Sequence, residues 1–247
     1  MSASLVGSEM CIRDRYCILN EKKEIEKCYK ERTPVLQKKY FKNILRQLQL
    51  KYPDCDIITC GYGRENVYAL KSINELTALA FGVNHQYVDY DVILDIGGQD
   101  IKIIRQENGH LREFFVNDRC AAGSGMFLLN TLTLLNKDFD KICLDENKKT
   151  DIKLSSVCAV FAQSEIVELI AANVEPDEII QAVIKQIFIQ AKKLLGKIRT
   201  QKILLTGGMT SIEGIEAFAR INLGIECKCA GKDGNYLSAI GCALQNQ

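Results

Sequence analysis

Three glycine pairs follow apolar runs that read as strands: Gly61 and Gly63 in TCGYGR, Gly97 and Gly98 in LDIGGQD, and Gly207 and Gly208 in LLTGGM. A glycine at a strand end lets the backbone turn tightly and brings its N–H groups within hydrogen-bonding reach of a phosphate, where a side chain would collide. Asp95 and Asp100 flank the second pair. Carboxylates there suit a Mg²⁺ ion held through water, or the orientation of an attacking water molecule. One such pair is most simply a tight turn; three at equivalent strand ends point to a nucleotide cleft. The sequence holds neither a GxxxxGK[ST] loop nor a GxGxxG helix start, so P-loop and Rossmann sites lack their signatures.

The second chemical resource is sulfur, with 11 cysteines in the chain. Cys120 lies in NDRCAAGSGMF and Cys158 in SSVCAVFAQSE, each shortly ahead of an expected helix. A thiolate at a helix N-terminus is favoured by the dipole and by unpaired N–H groups, which also suit an anionic metal cluster. The alternative for each is a small buried hydrophobe, the common fate of a free cysteine. No CxxC pair occurs, so neither a zinc ribbon nor a ferredoxin run is encoded, and Cys227-x-Cys229 falls in a strand pattern with both side chains on one face. Two thiols per chain cannot complete a four-thiolate iron–sulfur cluster, whereas two chains can, which directs attention to a symmetric dimer with a cluster on its axis. The remaining cysteines, among them Cys17, Cys28, Cys60 and Cys242, read as core or incidental, and His85 and His110 as surface histidines in turns.

Composition narrows the setting. With 32 Lys and Arg against 31 Asp and Glu, the net charge is +1, which argues against a nucleic-acid or acidic-membrane binder. An odd cysteine count in 247 residues, with no apolar signal segment, argues against a secreted disulfide scaffold. No run approaches the roughly 18–20 apolar residues of a membrane span. A cytoplasmic protein with reduced thiols is expected.

The elements that must position these residues can be read along the chain. Residues 1–15 show no helical or strand periodicity and read as a non-native tail. Tyr16–Asn20 and Ile25–Glu31 read as a hairpin, and Thr33-Pro34 as the start of a helix carrying Leu36, Tyr40, Ile44 and Leu48. A strand at Ile57–Cys60 and a helix around Ile73–Phe81 follow. Asp91–Leu94 opens a second strand group, with Ile101–Arg105 and Leu111–Val116 joined by an Asn108-Gly109 turn, a strong hairpin signal. Helices are expected near 125–135, 161–172 and 177–197, then a strand at 203–206, a helix from about 211, a strand at 225–229 and a helix at 235–244. Hairpin strands followed by strand–helix alternation, twice over, imply an α/β protein of two similar lobes. The first lobe is expected over 16–90 plus 233–247 and the second, carrying Cys120 and Cys158, over 91–232.

LDIGGQD at 94–100, NDRCAAGSGMF at 117–127, VCAVFAQSE at 157–165, LLTGGM at 204–209 and TCGYGR at 59–64, in this order, resemble the ATP-dependent activators of 2-hydroxyacyl-CoA dehydratases. These are grouped with the benzoyl-CoA reductase ATPase subunits in the acetate kinase, sugar kinase, Hsp70 and actin superfamily. The resemblance runs from Tyr16 to the C-terminus. It implies a two-lobed actin-like ATPase with ribonuclease-H-like lobes. It further implies a homodimer with one [4Fe–4S] cluster between subunits, ligated by Cys120 and Cys158 of each chain, and ATP with Mg²⁺ bound between the lobes. Asp95, Gly97, Gly98, Gln99 and Asp100 then correspond to the phosphate-facing loop, and Gly207 and Gly208 to the adenosine side. Ferredoxin or flavodoxin would supply the electron, and a dehydratase or reductase component would receive it with ATP hydrolysis.

Two departures qualify the resemblance. Members of the family open with a strand and an Asp-x-Gly hairpin, usually with a lysine, that grips the β- and γ-phosphates. Here Tyr16 reads as the second strand of that hairpin, so the first lobe is expected to lack its first strand and half its phosphate clamp, with impaired hydrolysis. Ser124 and Met126 also stand where Thr and Arg are usual. A carbohydrate-type kinase of the same superfamily, or a non-catalytic nucleotide-binding or redox module, are the alternative readings.

Overall fold

The computed structural model describes residues 2–7, 13–117, 124–145, 150–154 and 159–245. The described residues of Met1–Asp91, Arg105–Glu113 and Asn235–Gln247 make one compact unit, and those of Val92–Ile104 and Phe114–Gly234 a second.

The first sheet contains β1 (Ser2–Gly7), β2 (Arg13–Leu19), β3 (Ile25–Arg32), β4 (Asp56–Gly61) and β5 (Lys71–Ser72), in the order β3-β2-β1-β4-β5. β1 runs antiparallel to β2, with Leu5 opposite Tyr16, and parallel to β4, with Val6 opposite Cys60. The sequence offers no reason to expect a strand within residues 1–15, yet β1 lies at the centre of the sheet and β2 already begins at Arg13. Ser-Ala-Ser-Leu-Val-Gly has no pattern that selects an extended state by itself. Its conformation is set by the two strands it lies between, whose backbone donors and acceptors on the facing edges need partners.

Strand alternation then sorts the core of this unit. Cys17, Leu19, Ile58 and Cys60 pack on one face with Ala78 of α2 (Glu75–Gln86) and Ile240 of α7 (Leu237–Leu244). Tyr16 and Ile57 pack on the other with Phe41 and Leu45 of α1 (Gln37–Lys51). The helix expected from Thr33-Pro34 opens at Gln37 instead. Thr33 is committed elsewhere, its hydroxyl donating to the buried Asp14 carboxylate on β2 at 3.0 Å. Asn74 caps α2, its side chain accepting from the Leu76 N–H at 2.8 Å. α2 and α7 cross backbone to backbone: a Cβ on Gly241 would lie 1.8 Å from the Ala78 carbonyl oxygen, and one on Gly82 1.9 Å from that of Leu237.

The second sheet repeats this topology with β6 (Val92–Ile96), β7 (Ile101–Glu107), β8 (His110–Val116), β9 (Lys202–Gly207) and β10 (Glu226–Cys229), in the order β10-β9-β6-β7-β8. β6, β7 and β8 are joined by loops too short for a parallel crossover. The β7–β8 turn is Asn108-Gly109 with φ of 51° and 82°, the left-handed pair that a two-residue hairpin needs. β9 pairs in parallel with β6 and β10. α3 (Gly125–Leu134), α4 (Ala159–Ala171), α5 (Pro176–Leu195) and α6 (Ile215–Leu223) complete the second unit.

α5 supplies the spine of its core. Pro176 at the start, Asp177 and Glu178 in the first turn and Lys192 and Lys193 in the last suit the helix geometry and dipole. Ile180, Val183, Ile187 and Ala191 are buried with Leu94, Ile96, Ile103 and Leu205 of the sheet. Each fully buried Ile or Leu contributes about 1.5–3 kcal/mol. α6 opens at Ile215, later than the sequence suggests, because Gly208–Ser211 forms a 3-10 turn held by the Thr210 and Ser211 hydroxyls, which donate to the Gly207 and Gly208 carbonyls. Among the described residues, no helix is long and apolar enough to cross a membrane.

Candidate functional site

The register between β6 and β9 brings the second and third glycine pairs together. Asp95 lies opposite Thr206 and Ile96 opposite Gly207 in adjacent parallel strands. The 97–100 loop and the 208–211 turn therefore leave the sheet from the same carboxyl edge, where ligands bind in open α/β sheets. Within the loop the Gly97 N–H donates to the Asp100 carbonyl at 3.0 Å, closing a tight turn. α3 is tied onto this turn: the Gly125 and Met126 N–H groups donate to the Gly97 and Gly98 carbonyls at 2.9 and 2.8 Å. The Ser124 hydroxyl also donates to Gly98, at 2.8 Å.

The charged centre includes a residue that the sequence reading passes over. Lys102 on β7 is buried, with Nζ 2.8 Å from Asp100 Oδ1 and 3.6 Å from Asp95 Oδ2. The Thr206 hydroxyl donates to the other oxygen of Asp95 at 2.8 Å. Burial pushes the Lys102 ammonium down to about 7, while the Asp100 carboxylate beside it acts in the opposite direction. Its signal in the sequence was present but faint: in DIKII, residues 100 and 102 share a strand face, so an acid and a base are paired within an apolar run.

The two glycines after β9 differ in kind. Gly207 has φ 93°, and a Cβ there would lie 2.3 Å from the Ile96 carbonyl oxygen, so the strand pairing itself requires glycine. A Cβ on Gly208 would meet nothing within 4 Å. Its backbone borders open space. Asp95 and Asp100 place two carboxylates, oxygen donors of the hard type, at this edge of the sheet. Gly61, in the first unit, repeats the local conformation of Gly207, with φ 83° and ψ −173° against 93° and −176°, and each precedes a 3-10 turn.

Cys120 and Cys158 lie outside the described residues; the helices that follow them open at Gly125 and Ala159. Among the described residues, no three or more His, Cys, Asp or Glu side chains converge as metal ligands. Cys227 is buried and Cys229 partly so, and burial pushes both thiols up to about 12. Neutral thiols are poor metal ligands. A cavity of 290 Å³ in the first unit, lined by Lys23, Lys71, Phe81, Asn84 and His85, contains none of the residues read as nucleotide or cluster ligands.

Paired sheets of this topology, with glycine turns at the carboxyl edge of the second, define an actin-like ATPase fold. The structure superposes with a TM-score of 0.86 on the activator of the 2-hydroxyisocaproyl-CoA dehydratase from Clostridium difficile with bound ADPNP, at 27% identity, covering 98% of this chain and 92% of that one. The chain belongs to the BadF/BadG/BcrA/BcrD ATPase family, whose profile matches residues 15–244. It is 34% identical over 191 residues to the 2-hydroxyisocaproyl-CoA dehydratase activator of Clostridioides difficile, covering 75% of this chain and 70% of that one. Over 208 residues it is 30% identical to the (R)-2-hydroxyglutaryl-CoA dehydratase activating ATPase of Acidaminococcus fermentans, covering 81% and 79% of the two chains.

Proposed function

We propose that this protein is an iron–sulfur ATPase activator. It binds ATP with Mg²⁺ and couples binding and hydrolysis to one-electron transfer from a [4Fe–4S] cluster to a 2-hydroxyacyl-CoA dehydratase or related low-potential enzyme. The observation that carries the reading is the shared carboxyl edge of the LDIGGQD and LLTGGM loops, in a chain of this ATPase family. The names of the relatives, both of them dehydratase activators, support the choice of partner.

In this reading Gly97 and Gly98 present backbone N–H groups to phosphate, and Gly208 leaves room for the nucleotide. Asp95 and Asp100 hold Mg²⁺ through water, and Gln99 with Asp100 orients the attacking water. Lys102 offsets the repulsion of two carboxylates, one buried and one partly buried, that would otherwise stand together uncompensated. Cys120 and Cys158 from each of two copies are the cluster ligands. When bound, Mg²⁺ neutralises phosphate charge and the cluster exchanges one electron. Because α3 hangs from the Gly97 and Gly98 carbonyls, a shift of the phosphate loop reaches the start of the helix that follows Cys120 in sequence. The electron enters from ferredoxin or flavodoxin, and the setting is the cytoplasm.

The first sheet tempers the expected rate. β1 reads SASLVG, with neither the carboxylate nor the lysine of a phosphate-gripping hairpin, so slow turnover is expected. ATP hydrolysis by the reconstituted protein without any sugar or other acceptor tests the reading. Asp100→Asn should lower it by about a hundredfold. ATP consumption that depends on an added carbohydrate acceptor would instead make the chain a kinase.

A further inference from the structure

The function absorbs two of the 11 cysteines. Four of the rest gather in one apolar cluster of the first unit: Cys17, Cys60 and Cys242 buried within it, and Cys28 partly buried against it. They are not equivalent. Cys17 and Cys28 are directly opposed in the antiparallel register of β2 and β3, and their sulfurs stand 3.3 Å apart, Cys28 donating to Cys17. Directly opposed residues of such a pair have Cβ atoms about 4.5–5.5 Å apart, close to the roughly 3.5–4.5 Å that a disulfide spans. Cys60 and Cys242 also share a hydrogen bond, but both are wholly buried, and that bond together with burial holds the Cys60 thiol well above its ordinary value.

We propose that Cys17 and Cys28 form a reversible thiol–disulfide modification site on the β2–β3 hairpin, with a small-molecule disulfide as its oxidant. The partly exposed Cys28 is the entry point. Its thiolate attacks the incoming disulfide RSSR, a mixed Cys28–SR bond forms, and the first thiolate RS⁻ leaves and takes up the proton Cys28 lost. The Cys17 sulfur, already in contact, then displaces the second RS⁻, which takes up the Cys17 proton. One RSSR is reduced to two RSH, and the protein is oxidised by two electrons. Only a modest approach of the sulfurs is needed, from 3.3 Å to about 2.05 Å. Neither the nucleotide loop nor Cys120 and Cys158 take part, so the proposal is independent of the ATPase reading.

The test is a site-resolved thiol map of the whole chain. Anaerobic protein is incubated with oxidised glutathione, the remaining thiols are alkylated, and the chain is cut with trypsin. Cleavage at Arg15, Lys22, Lys27 and Lys30 puts Cys17 on peptide 16–22 and Cys28 on peptide 28–30. The expected result is that these two peptides are found joined, that each chain loses this pair of alkylatable thiols, and that dithiothreitol restores both. Cys17→Ala should leave Cys28 held as a glutathione adduct, and Cys28→Ser should leave Cys17 unmodified. The proposal is overturned if both peptides are recovered alkylated after the oxidant, or if Cys28 in the wild-type chain is linked to another cysteine or stays a glutathione adduct. Because the wild-type map decides, a variant that misfolds does not protect the proposal.

Discussion

Lys102 and the glycines after β9 show how single residues fix the site. Lys102→Met would leave the buried Asp100 and the partly buried Asp95 without the ammonium beside them, and should cost about 3–5 kcal/mol in a urea titration. Gly207→Ala and Gly208→Ala separate structure from binding. The first sets a side chain against the Ile96 carbonyl at φ 93° and should destabilise the fold, while the second meets open space and should leave the urea midpoint near wild type. If Gly208 borders the nucleotide, isothermal titration should show weaker ATP binding by the Gly208→Ala protein; unchanged affinity would remove Gly208 from the site. At alkaline pH the thiols of Cys227 and Cys229 add a second signature. Burial raises each from 9.0 to about 12, so the folded state holds protons that the unfolded state releases. Their contribution is therefore complete below pH 9 and lost as the pH climbs toward 12, and Cys227→Ala should flatten the fall in stability across that window. That the glycine loops leave the ends of β6 and β9 was legible from the apolar runs before them. Lys102 was only faintly so, and the Cys17–Cys28 contact was not, because it depends on which residue folding sets opposite it.

At the scale of elements, legibility tracks how far an element's pattern is its own. α5 declares itself through its apolar stripe, its Pro start and its charge gradient, and the β7–β8 hairpin through Asn108-Gly109. β1 has no such pattern and is extended because β2 and β4 flank it. The start of α1 was misread because the Thr33 hydroxyl serves Asp14, 19 residues away in sequence, and does not cap the helix. The α2–α7 crossing gives the sharpest prediction at this scale. Gly241→Ala forces a methyl to 1.8 Å from the Ala78 carbonyl oxygen, and no flexible side chain can yield there. It should cost about 3 kcal/mol or more, read as a lowered urea midpoint, whereas the same change at Gly196, at the end of α5, has its nearest neighbour at 3.4 Å and should be tolerated.

For the whole molecule, two sheets of one topology carry different duties. The second brings acid, base and glycine to one edge, and the first repeats the Gly61 turn but opens with a strand bare of charged residues. The near-zero net charge fits ligands chosen by a cleft and a protein surface over any broad electrostatic attraction. Under the proposed function, the pair Cys120 and Cys158 is what distinguishes an electron-transfer activator from a nucleotide-binding module, and a four-thiolate cluster built from them needs two chains. The deciding measurement is the iron and sulfide content of the anaerobically reconstituted protein, taken with its molar mass in solution. A dimer holding about four irons and four sulfides is expected, abolished by Cys120→Ala or Cys158→Ala. A monomer without iron, or a dimer whose iron survives both substitutions, would contradict it.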